Sequence, residues 1–255
     1  MRHQDRGTVR ARPDSVRTTR ARGSLGARTY EAGRTVLHRV SAVWLVILGI
    51  LGLVSSSCGG PTPASPPMPL PDSYILADDF SHPSPRWARF DTEESAVYAL
   101  AGELYLEDRG QGTAVYSPLV GKTYADVAID VDIRHVQGTV NNWMGVLCRQ
   151  QDDDNYYLLA ISADGYYLIL RVIDGEATPL VGPEYNEAIR QGKAGNALRA
   201  VCQGTRLSLY ANDTRLASVT DTRLGEPGQV ALVADAVQRG EIVVVAFDNF
   251  VLATP

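Results

Sequence analysis

The sequence is poor in the residues from which catalytic and metal centres are commonly built. It has four histidines and three cysteines in 255 residues, and only His82 and His135 lie beyond the basic head described below. No G-x-S-x-G elbow accompanies either histidine, which argues against a Ser-His-Asp hydrolase. No glycine-rich phosphate loop precedes a helix. Two cysteines without neighbouring histidines cannot complete a tetrahedral zinc shell. Long apolar runs are also missing: the longest, Ala42–Val54, is shorter than the roughly 20 residues a transmembrane helix needs. With 45% apolar residues the chain is neither disordered throughout nor a polytopic membrane protein. Positive charge is confined to one end. Residues 1–39 carry a net charge of +7, so a total of -5 leaves -12 on the remainder. An acidic body is a poor partner for phosphate backbones, and no nucleic-acid partner is expected.

What is present falls into four segments. Residues 1–39 are rich in Arg, Ser and Thr without apolar periodicity and read as disordered. Residues 40–58 contain the order of a secretory signal: a positive flank at His38-Arg39, the apolar core and then Ser55-Ser56-Ser57-Cys58. Small residues ending at a cysteine resemble the lipobox of bacterial lipoproteins, with Ser55 where Leu is commonest. That resemblance implies lipidation at Cys58, a membrane anchor and an extracytoplasmic location. The competing reading is an uncleaved helix extended through the serines. Residues 59–72 hold six prolines between Gly59 and Pro71, a composition that favours extended polyproline II at about 3.1 Å per residue and reaches roughly 40 Å as a stalk.

Residues 73–255 are long enough for one domain with a single core. The pattern there is period two with two-residue turns. In Tyr124–Arg134, Val127, Ile129, Val131 and Ile133 share one face while Asp126, Asp130, Asp132 and Arg134 share the other. Asp164-Gly165 and Asp174-Gly175 mark hairpins, because these pairs tolerate the positive φ of type I′ turns. Further turns fall at Gln203-Gly204 and Asn212-Asp213. Asp78-Asp79-Phe80 echoes Asp248-Asn249-Phe250, which suggests that the first and last strands pair. Glu184–Gln191 alone reads as a helical turn. About a dozen short strands imply an all-β, antiparallel two-sheet sandwich.

Four segments then carry a resemblance: Gly145-Val146-Leu147-Cys148-Arg149, Asp153-Asp154-Asn155-Tyr156-Tyr157, Ile161-Ser162-Ala163-Asp164-Gly165-Tyr166-Tyr167 and Ala246-Phe247-Asp248-Asn249-Phe250. Together they resemble the bacterial concanavalin A-like jelly-roll domains of the laminin-G-like and 3-keto-disaccharide-hydrolase-like kind, over roughly residues 73–253. Catalytic members with this jelly roll carry E-x-D-x-E or E-x-D-x-x-E on one strand. Aligning Asp130 and Asp132 with the aspartate of that motif leaves alanine at the nucleophile position, so no catalytic residue is assigned.

In an exported chain Cys148 and Cys202 are expected to pair, since both fall on apolar sides of their strands. For ligand contact, alternation opposes Trp143 and Arg149 to Cys148. The next hairpin then offers either Tyr156 with Tyr166, or Tyr157 with Tyr167 and Arg171. Because Tyr167 shares a face with Arg171, the second set is placed on an open concave surface, so the candidate ligand residues are Trp143, Arg149, Tyr157, Tyr167 and Arg171. The alternative is that these tyrosines are packed strand residues. Asp152, Asp153 and Asp154 form a weak calcium candidate; no other cofactor is implied. The sequence thus supports a membrane-tethered module for a glycan or another cell-surface ligand, with a glycoside or 3-keto-disaccharide hydrolase and a protein-binding adhesion sandwich as alternatives.

Overall fold

A computed structural model describes residues 73–255; the basic head, the signal and lipobox segment with Cys58, and the proline-rich stalk lie outside the described residues. The described chain forms fifteen strands: β1 Ser73–Asp78, β2 Phe90–Asp91, β3 Ser95–Leu100, β4 Glu103–Asp108, β5 Val115–Pro118, β6 Val127–Gly138, β7 Trp143–Asp152, β8 Asn155–Ile161, β9 Tyr166–Ile173, β10 Glu176–Tyr185, β11 Asn196–Gln203, β12 Arg206–Ala211, β13 Thr214–Thr220, β14 Gln229–Asp235 and β15 Val243–Thr254. They build two antiparallel sheets. One runs β13-β12-β11-β6-β15-β4-β3-β2, with β1 also paired to β15, and the other runs β10-β9-β8-β7-β14-β5.

The expected pairing of the ends is present: Asp78 lies opposite Phe250 and Ser73 opposite Thr254. The two echoed segments place Phe80 and Phe250 around Trp87, whose ring meets Phe250 edge-on at 4.8 Å. The turn at Asp174-Gly175 has positive φ at both residues, as does Asn212-Asp213, matching the I′ geometry. At Asp164-Gly165 only the glycine is left-handed, and its N–H closes onto the Ser162 carbonyl. Glu184–Gln191 is not helical, and the described residues contain no helix. β10 extends to Tyr185, and the chain then turns at Asn186, whose side chain accepts the Ala188 N–H. Strand pairing with β9 overrides the local helical signal there.

The core lies between the sheets. Val127, Ile129, Val131 and Ile133 of β6 face Met144, Val146 and Cys148 of β7 and Leu159 and Ile161 of β8, all essentially inaccessible to water. Cys148 of the six-stranded sheet is bonded to Cys202 of the nine-stranded sheet, with Cα atoms 6.8 Å apart. The expected disulfide therefore joins the two layers. The aspartates on the far side of β6 are individually satisfied: Asp126 accepts from Arg149 and the Gly204 N–H, Asp130 faces Arg199 at 3.7 Å, and Asp132 accepts from Asn249.

Candidate ligand face

The six-stranded sheet is apolar on both sides. Tyr157, Leu159 and Ile161 point into the core, whereas Tyr156, Leu158 and Ala160 point outward and form a second cluster with Trp143, Leu147, Leu168, Leu170, Val172, Ala231 and Val233. This outward face is the candidate site.

Its contents differ from those expected. Trp143 faces outward as alternation requires. Arg149 does not, because β7 bulges between Cys148 and Asp152 and Arg149 takes φ of 49°. One inserted residue reverses the side-chain sense downstream. The guanidinium instead turns away from solvent and donates to the carbonyls of Ala125, Leu224 and Gly204 and to Asp126, satisfying loop acceptors that would otherwise be orphaned. Tyr157 and Tyr167 are core-facing, at 0% and 5% exposure. Tyr157 donates to Asp221 at 2.6 Å and Arg171 pairs with the same carboxylate at 2.6 Å. A neutralised arginine can sit at the margin of the core, so its charge gives no guide to the open side. Tyr167 donates to Glu184, and burial followed by this bond pushes its hydroxyl up to about 12. Of the two sets left by alternation, Tyr156 and Tyr166 are the outward one.

Strand register assembles a row across one end of this face. Asp235 lies opposite Trp143, Met144 lies opposite Ile161, and Ile161 lies opposite Tyr167. Ser162, the next residue after β8, donates its N–H to the Tyr166 carbonyl, and Tyr166 lies opposite Tyr185. Asp235, Trp143, Ser162, Tyr166 and Tyr185 thus stand side by side over about 19 Å, at about 4.8 Å per strand. Trp143 is a floor residue at 6% exposure, while Tyr166 and Tyr185 are 41% and 55% exposed and meet edge-on at 5.8 Å.

Polar groups on the face include two buried acceptors without partners. Asp235 accepts the Val237 N–H through Oδ1, but its Oδ2 has none, and Gln150 Oε1 is likewise alone. Burial, and then the charge of Asp108, raises the Asp235 carboxyl to about 7. Asp108 itself is raised by burial although both its oxygens accept backbone N–H groups, from Gly110 and Ala236. At the other end of the face Tyr116 donates to Asp153. The Tyr156 hydroxyl is held strongly neutral, first by burial and then by Asp235, Asp154 and Asp153.

The calcium candidate does not assemble. Asp152 accepts from the Asp154 N–H and the Asn155 amide, Asp153 is engaged by Tyr116, and no group of three metal-ligating side chains occurs among the described residues. A separate hollow of about 310 Å³ on the nine-stranded sheet is lined by Glu103, Asp132, Arg134, Arg190 and Asp248, but Arg134 is spent on Glu103 and Asp132 on Asn249.

Asp235, Gln150, Tyr116 and Tyr185 escaped the sequence reading. Asp235 was within reach, the last residue of a strand whose Ala231 and Val233 alternate outward with it; Tyr185 was hidden by the apparent helical turn.

The paired sheets, their order and the Greek-key return of β15 between β6 and β4 decide the fold. The chain has a concanavalin A-like jelly-roll fold. No protein-family model matches the sequence, and no curated protein is significantly similar to it. Among solved structures, the carbohydrate-binding module CBM66 from Bacillus subtilis superposes with a TM-score of 0.54 at 17% identity, over 66% of this chain and 96% of that one. The GH43 protein BlXynB from Bacillus licheniformis gives 0.52 at 16% identity over 70% of this chain and 39% of its own length. A beta-glucanase from Bacillus licheniformis gives 0.50 at 10% identity, over 71% and 98%. Identities this low establish shared architecture for the jelly roll, and its activity has to be argued from its own side chains.

Proposed function

We propose that this jelly roll binds carbohydrate on the outward face of its six-stranded sheet without cleaving it. The observation that carries the reading is the row in which two exposed tyrosine rings continue from Trp143 and Asp235. Aromatic faces stack on the C–H faces of pyranose rings, and unpartnered acceptors such as Asp235 Oδ2 and Gln150 Oε1 have an unmet need for hydroxyl donors. The neighbours named as a carbohydrate-binding module, a beta-glucanase and a GH43 protein put this fold in carbohydrate company. Binding is favoured over hydrolysis because the outward strand positions carry a single carboxylate, Asp235, whereas a retaining glycosidase needs two at about 5 to 5.5 Å.

The test is titration of neutral gluco-oligosaccharides against Tyr166→Ala and Tyr185→Ala. Each ring is half-exposed and loses little packing, so the fold should persist while affinity falls by about 1 to 3 kcal/mol per anchor. Unchanged affinity in both variants would place the ligand elsewhere. We further propose that Cys58 carries a lipid and that the proline-rich stalk holds the jelly roll off an extracytoplasmic membrane surface, supported by the apolar run Ala42–Val54 and the three serines that lead to that cysteine.

A further inference from the structure

The charge of the ligand face narrows its ligand class. Every strand position that points outward from the six-stranded sheet, from Tyr116 on β5 to Tyr185 on β10, lacks Lys and Arg. The arginines of the neighbouring strands turn inward, Arg149 to loop carbonyls and Arg171 to Asp221. Carboxylates remain: Asp235 in the row itself, and Asp153 and Asp154 close enough to act on the Tyr156 hydroxyl. Both orphaned polar atoms, Asp235 Oδ2 and Gln150 Oε1, are acceptors, each on a residue at least nine-tenths buried. A uronate, sulfate or phosphate group would meet like charge there and no Lys or Arg at the outward strand positions that form the face. An ammonium supplies what the face lacks, three N–H donors and a positive charge.

Resting on the carbohydrate reading above, we propose that the preferred ligands are glycans with unsubstituted amino sugars, whose ammonium group is held by the Asp235 carboxylate beside Trp143. Tyr166 and Tyr185 then receive the adjoining rings along the row. An ammonium against Asp235 favours its ionised form and so opposes the effect of burial on that carboxyl, and ligand binding and ionisation of Asp235 reinforce each other.

The experiment compares three tetrasaccharides of equal length by calorimetry with the protein as expressed: chitosan tetramer, its fully N-acetylated counterpart and cellotetraose. A charge-assisted hydrogen bond in this setting corresponds to a preference of about tenfold or more for the amine over both others. In Asp235→Asn the preference for the amine should vanish, and cellotetraose and the N-acetylated tetramer should weaken together by no more than about tenfold, the loss of one neutral contact. Thermal unfolding of the variant, measured alongside, confirms that the compared proteins are folded; the wild-type ranking alone tests the proposal if the variant is not. Equal affinity for all three ligands overturns the amine assignment and leaves the carbohydrate reading intact. A chitosan preference that persists in Asp235→Asn reflects general attraction to an acidic protein and overturns it as well. Absence of binding to any of the three overturns both.

Discussion

Asp235 offers a direct test of the electrostatics of the outward face through stability. The carboxyl ordinarily titrates near 3.8 and in the folded protein near 7, chiefly because it is buried. A folded value raised above the unfolded one means that the unfolded state gives up its proton first. The contribution of the protonated group is therefore complete below about pH 3.8 and is lost as pH rises towards 7. Each tenfold difference in acid strength is worth about 1.4 kcal/mol, so the full loss approaches about 4 kcal/mol, an upper value because structural relaxation and water entry reduce it. Asp235→Asn keeps an oxygen for the Val237 N–H and removes the charge. Urea unfolding of both proteins from pH 4 to pH 8 should give a stability difference that moves in favour of Asn by up to about 4 kcal/mol between pH 4 and 7 and then levels. Groups that do not interact with Asp235 titrate alike in both proteins and cancel, whereas the coupling to Asp108, whose charge raises Asp235, is part of the measured difference. A difference that stays flat across this range would show that Asp235 is hydrated, and the argument for an unpartnered buried oxygen would fail with it.

Three further outcomes are expected. Replacing Cys148 and Cys202 by Ala should cost about 4 kcal/mol, the chain-entropy value for a loop of this length, read as a lower urea midpoint; a shift under about 1 kcal/mol would mean that the crosslink constrains little of the unfolded chain. Arg149→Ala should cost about 3 to 5 kcal/mol by leaving the carbonyls of Ala125, Leu224 and Gly204 without their donor, and the check is that Arg149→Lys, which lacks the fork, restores less than half of the loss in melting temperature. Cys58→Ala should abolish partition of the mature protein into detergent, and fatty-acid label still incorporated in that variant would move the lipid site.

How far the residues themselves disclosed this architecture depended on strand periodicity. Val127, Ile129, Val131 and Ile133 alternate without interruption and predict the core face of β6 correctly, and the turn pairs at Asp174-Gly175 and Asn212-Asp213 predict hairpins by their own backbone preference. The ligand face was only half visible. Alternation carries Trp143 outward but cannot register a bulge, so Arg149 was carried to the wrong side with it. At Tyr157, Tyr167 and Arg171 the sequence shows a cation and two phenols, the composition of an open surface, while Glu184 engages Tyr167 and Asp221, fifty residues after Arg171, engages both Tyr157 and Arg171. A partner that distant in sequence leaves no local trace.

The placement of the disulfide has a mechanical consequence. The stalk enters through β1, which belongs to the nine-stranded sheet, whereas the ligand face belongs to the six-stranded sheet. If the module is pulled between a membrane below and a fixed polymer above, tension passes from one sheet to the other through the connecting loops at their ends, while the packed faces between them are free to slide. Cys148–Cys202 adds a covalent cross-link inside that gap, between the faces of the two sheets. Under load the two layers are then pinned at one point, and shear becomes rotation about it, which keeps the aromatic row joined to its anchor after weaker contacts have yielded.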